Sequence, residues 1–165
     1  MPLVLFTDDS GRDWLAAAQA LPRGSLVILR GKHRARLLDD LRALPLRLLA
    51  ADDPALAMEA AGLHLPERRA REAGHWRARY PHWIITASAH SLRALMTLSH
   101  VDAVFLSPVF PTASHPGGAV LGPARAGLIA AHATVPVYAL GGVNARSAAR
   151  LPPSFSGIAA ITGLS

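Results

Sequence analysis

The sequence predicts an α/β protein, a compact single-domain (β/α)8 barrel of the TIM type that stops soon after its eighth strand. Three observations carry that prediction. Eight short apolar runs recur at intervals of about twenty residues, separated by alanine- and arginine-rich segments with helical spacing. The runs are continuously apolar rather than alternating, which marks strands buried on both faces, as in parallel sheets. A chain of 165 residues that is 51% hydrophobic supplies one sizeable core and leaves no comfortable room for a second. Barrels of this kind usually take about 250 residues, so this one must have short helices and tight loops. The competing arrangement is an open, flavodoxin-like sheet of fewer strands.

The elements follow in order. LVLF at 3–6 is the first strand; Thr7, Asp8 and Asp9 end it, and a helix is predicted over 14–21. LVIL at 26–29 runs into Arg30 and Lys32, and the spacing predicts a helix over 34–44. The third run, 46–50, reaches Asp52 and Asp53 before a helix that opens at Pro54. GLHL at 62–65 precedes a helix over 68–80, and WIIT at 83–86 leads to Ser88, His90 and a helix over 92–99. AVFL at 103–106 opens into SPVFPTASHPGG, too dense in proline, glycine and hydroxyl groups for a mere connection. A helix over 123–133, the strand VPVYAL at 135–140 and the strand GIAAIT at 157–162 complete the set. Ser165 follows so closely that no ordinary eighth helix fits, and the apolar surface left bare predicts a homodimer.

Composition narrows the function. The formal charge of +6 comes from arginines concentrated in 30–47 and 68–79, where interspersed acids and helical spacing also fit solvated helix faces. Basic and aromatic residues do not interleave and no reader motif is present, so nucleic acid is not the expected partner. A phosphorylated small molecule uses the same charge. Without cysteine there are no disulfides and no thiolate chemistry, and a metal would depend on carboxylates or histidine. The start, MPLVLFTDDS, has no basic leader, and its apolar run is too short to cross a membrane, so a cytoplasmic protein with no membrane partner is expected.

In either α/β architecture, ligands bind where strands end. Strand seven runs into Gly141 and Gly142 before Asn144, a good helix N-cap, and strand eight ends at Thr162. Glycine lets backbone N–H groups approach an anion, and the loops after strands seven and eight are the usual phosphate site of such barrels. The pair also suits a tight turn. Arg30 and Lys32 flank Gly31, two cations suited to a second anion such as a diphosphate. Asp52 is the candidate ligand for Mg2+, while Asp53 before Pro54 reads equally as a helix cap. His90 and His115 titrate near neutrality and are the acid–base candidates, although His90 also stands where a helix begins.

The order of motifs resembles the thiamine phosphate synthase family and its sister group, the TenI-type thiazole tautomerases. The resemblance runs through TDD, LRGK, the DD before helix three, GLHLP, ASAHS, SPVFPTASH, LGGVN and AAITG, nearly the whole chain. It implies a (β/α)8 barrel that binds thiazole phosphate and couples it to a pyrimidine diphosphate, releasing pyrophosphate with the help of Mg2+. On the matching positions, Arg30, Lys32, Ser88, Thr112 and Ser114 would surround the diphosphate. Gly142 and Thr162 would hold the thiazole phosphate. The sequence departs from the family pattern at Ile28, Ala51, Arg69 and His115, where synthases carry amides, a metal carboxylate and a lysine. Pro108 replaces the histidine of the tautomerase branch. A tautomerase or a non-catalytic phosphate-binding barrel is therefore the alternative reading.

Overall fold

The computed structural model describes residues 3–112 and 117–161. Its eight strands are β1 (Leu3–Phe6), β2 (Leu26–Leu29), β3 (Arg47–Ala51), β4 (Gly62–Leu65), β5 (Ile84–Ala89), β6 (Ala103–Leu106), β7 (Val137–Ala139) and β8 (Gly157–Ala160). Each pairs in parallel with the next, and β8 closes onto β1 with Val4 opposite Ala159. Closure rules out the open sheet. The chain is a (β/α)8 barrel.

Burial on both sides explains the continuously apolar runs. Along β1, Val4 and Phe6 join Ile28, Leu49, Phe105 and Ala159 inside the barrel, while Leu5 faces outward with Val27, Leu29 and Leu48 against Trp14, Leu38 and Leu41. Successive side chains point to opposite faces of a strand, so a strand dry on both faces has no polar alternation to show. Fully burying a side chain such as Phe6 or Phe105 contributes about 1.5–3 kcal/mol.

The helices are α1 (Trp14–Gln19), α2 (Arg34–Leu41), α3 (Pro54–Ala57), α4 (Ala73–Arg79), α5 (Leu92–Met96), α6 (Pro123–Ala130) and α7 (Ala145–Ala148). Most are shorter than their sequence spacing predicts, and the 68–80 segment divides into a 3-10 stretch, Glu67–Glu72, followed by α4. Such short helices are marginal alone and rely on packing and caps. Asp13, Asp53 and Ser91 accept from the backbone N–H groups of Ala16, Leu56 and Ala94, and Asn144 forms a capping box with Ser147. Strand β5 runs longer than predicted. It carries Ser88 within the strand rather than after it.

Candidate active site

The C-terminal ends of the strands and the loops after them enclose a cavity of about 1020 Å3. Its aromatic base is built from inward-facing positions of β1, β4 and β6. Phe6 meets Phe105 edge-on at 4.9 Å, and His64 lies against both rings at 5.3 and 5.4 Å. His64 is buried in β4, with Nδ1 3.0 Å from Thr86 Oγ1 and Nε2 3.1 Å from Ser88 Oγ. Burial pushes its pKa down to about 3; the nearby charge of Arg30 acts in the same direction and Asp52 opposes both. The ring is neutral at physiological pH. The sequence alone assigns His64 no role, because it shows no partner pattern there. The detectable signal is lateral: parallel register sets it beside Thr86 on the next strand.

Arg30 lines the cavity and is fixed from its own strand end. Its backbone N–H donates to Thr7 Oγ1 at 2.8 Å, its Nε donates to the Thr7 carbonyl at 3.0 Å, and its guanidinium lies 5.2 Å from the Phe6 ring centroid. Its Nη groups make no bond among the described residues. Burial lowers its pKa and Asp8 raises it, yet a guanidinium stays cationic. Lys32 behaves differently. Its side chain is exposed and outside the cavity lining, and the turn is held by its backbone N–H donating to Asp9 at 2.8 Å.

Ser88, His90, Thr112, Gly141 and Gly142 all line the cavity. Nδ1 of His90 lies 2.8 Å from the carbonyl oxygen of Ser107. A carbonyl only accepts, so Nδ1 carries a proton, and in the neutral tautomer that this bond selects the lone pair is on Nε2. The cap of α5 is Ser91, which leaves the His90 side chain to the cavity. Gly141 and Gly142 have φ of 87° and 65°, and a Cβ on Gly142 would lie 2.2 Å from the Pro111 carbonyl oxygen. This tight turn therefore serves close approach to the loop after β6, and its backbone forms cavity wall as well. Ser114, His115 and Thr162 lie outside the described residues.

Asp52 also lines the cavity, at a φ of 56°, but its carboxylate is already engaged. One oxygen accepts from Arg69 at 2.6 Å and the other from Arg68. Arg69 is itself shared with Glu72 at 2.7 Å, which lowers the Glu72 pKa and raises that of Arg69. Mg2+ takes one or two carboxylates that face it freely. Here two guanidiniums occupy the Asp52 oxygens, and no cluster of three or more His, Asp or Glu side chains suits a metal among the described residues. The arrangement does not fit Mg2+ at Asp52. Asp53 is accounted for as the cap of α3, ion-paired to Arg34 at 3.0 Å.

Residues 7–164 match the family model TMP-TENI, thiamine monophosphate synthase. The chain belongs to the thiamine monophosphate synthase family. Membership places it among proteins of thiamine biosynthesis. A putative thiamine-phosphate synthase 2 of Aquifex aeolicus (strain VF5) is 38% identical over 94 residues, 56% of this chain and 50% of that protein. The chain thus aligns with about half the length of this curated relative. The thiamine phosphate pyrophosphorylase from Pyrococcus furiosus superposes with a TM-score of 0.77 at 21% identity, covering 98% of this chain and 85% of that one. At that identity the likeness shows the barrel fold. No helix among the described residues is long and apolar enough to cross a membrane.

Proposed function

We propose that the cavity binds thiazole phosphate and a pyrimidine diphosphate and joins them into thiamine phosphate. In that reaction the thiazole nitrogen attacks the pyrimidine methylene carbon, a C–N bond forms, the C–O bond to the diphosphate breaks and pyrophosphate leaves. The observation that carries the reading is the Arg30 guanidinium, held on the wall of a 1020 Å3 barrel-mouth cavity with its Nη donors unpaired among the described residues. A leaving diphosphate gains most from donors fixed in advance where its charge develops. Ser88 and Thr112 add hydroxyl groups to the same cavity, and Gly141 and Gly142 offer backbone for the monophosphate. Ser114 and Thr162 complete the diphosphate and phosphate contacts in this reading, and Lys32 stays outside the cavity lining. Asp52, engaged by Arg68 and Arg69, is not assigned to Mg2+ in this reading. The partners are the two phosphorylated substrates, and a cytoplasmic homodimer is the working form.

Purified protein mixed with both substrates should form thiamine phosphate, and Arg30→Ala should cut turnover by roughly 10- to 100-fold, the worth of a charge-assisted contact. No product in either Mg2+ or chelator would reject the coupling reaction.

One observation favours a second reading. The Nε2 lone pair of His90, left open by the Ser107 contact, suits it to carry a proton in a thiazole tautomerisation. In a tautomerase assay His90→Ala should then abolish turnover. Unchanged turnover would remove His90 from that role.

A further inference from the structure

We propose that Thr86, His64 and Ser88 form a directed hydrogen-bond chain that presents the Ser88 hydroxyl proton to an anionic oxygen in the cavity, with His64 and Thr86 as positioning residues. The proposal rests on the reading of the cavity as a phosphate or diphosphate site and deepens it.

The direction follows from proton counting. Thr86 is wholly buried, and among the described residues its hydroxyl has a single partner, His64 Nδ1 at 3.0 Å. A buried hydroxyl proton with no acceptor costs the full desolvation of a donor, so Thr86 donates and Nδ1 accepts. A neutral imidazole carries one proton, which therefore sits on Nε2 and is donated to Ser88 Oγ at 3.1 Å. Ser88 has no other partner among the described residues and lines the cavity, so its own proton is left for a bound group.

The surroundings hold this state. Phe6 and Phe105 face the ring edge-on, and the depressed pKa of His64 prevents the doubly protonated form that would reverse the Thr86 bond. Successive hydrogen bonds polarise one another, so the Ser88 proton is a better donor than an isolated serine would supply. The chain selects acceptor-only groups such as phosphate oxygens and disfavours a ligand that presents a donor at this point.

Nitrogen NMR of the unaltered protein tests the direction. His64 should show a pyridine-like Nδ1 and a pyrrole-like Nε2; the opposite assignment would overturn the proposal. Calorimetric titration with pyrophosphate tests the consequence. Ser88→Ala should weaken binding roughly tenfold. Thr86→Val, which removes only the upstream donor, should alter the His64 nitrogen pattern and weaken binding by a few fold. A Thr86→Val protein with unchanged nitrogen pattern and unchanged affinity would also overturn it. If the unaltered protein fails to bind pyrophosphate, the anion reading of the cavity falls, and the proposed ligand with it. The nitrogen spectrum would still decide the chain itself.

Discussion

His64 couples the acid stability of the barrel to the chemistry of its cavity. In an unfolded chain the ring takes a proton near pH 6.5, whereas in the fold its pKa is pushed down to about 3 by burial and then by Arg30. Between those values the unfolded state binds the extra proton. Stability that is present above pH 6.5 is therefore lost as the pH falls, by about 2 kcal/mol at pH 5 for this group alone. Asp53 and Glu72 have lowered pKa values and contribute stability that is lost at more acidic pH. Urea unfolding at pH 7 and pH 5 should show this loss in the unaltered protein and not in His64→Gln. Parallel pH dependence in the two proteins would contradict it.

At the scale of elements, the loop after β7 is fitted against the loop after β6 with no space for a side chain at Gly142. An added Cβ would stand 2.2 Å from the Pro111 carbonyl oxygen and 2.8 Å from Phe110, at a φ of 65°. Gly24 also has a positive φ, 79°, but nothing lies within 4 Å of its added Cβ. Gly24→Ala should cost about 1 kcal/mol, the left-handed backbone alone, and Gly142→Ala about 3 kcal/mol or more. In thermal melting of a chain this size each kcal/mol shifts Tm by roughly 2–4 °C, so the two variants separate clearly. Equal melting temperatures would mean that the loops move apart at little cost.

The same pair of loops shows what the sequence disclosed. The strands were legible because double-sided burial leaves continuous apolar runs, and that Arg30, Ser88, His90, Gly141 and Gly142 line the barrel mouth was legible because they follow or end strands. The helix lengths were overestimated, since alanine-rich spacing continues past the ends of α1 and α6, whose C-caps are Ala20 and Ala131. Lys32 was placed in the cavity by its nearness to Arg30, but the turn held by Asp9 leaves it exposed. Two features needed three dimensions. The Asp52 pairing depends on Arg68 and Arg69 arriving from beyond β4, and the role of His64 depends on its neighbours in β5.

Across the whole molecule, the cavity draws its wall from both halves of the chain, from Phe6 and Arg30 to Gly142 and Ala160. In a closed barrel these strands cannot separate independently, so a ligand that bridges their ends opposes unfolding of the entire ring. A ligand at 100 times its Kd stabilises the folded state by about 2.7 kcal/mol, which for a protein of this size raises Tm by roughly 5–10 °C. Pyrophosphate should produce that rise in scanning calorimetry. Arg30→Ala should largely remove it at the same concentration, because the guanidinium fixed in the wall is gone. Lys32→Ala should keep most of it, because that ammonium lies outside the lining and its charge is screened by water and salt. A rise that survives Arg30→Ala but not Lys32→Ala would move the anion site out of the barrel mouth and onto the exposed turn after β2.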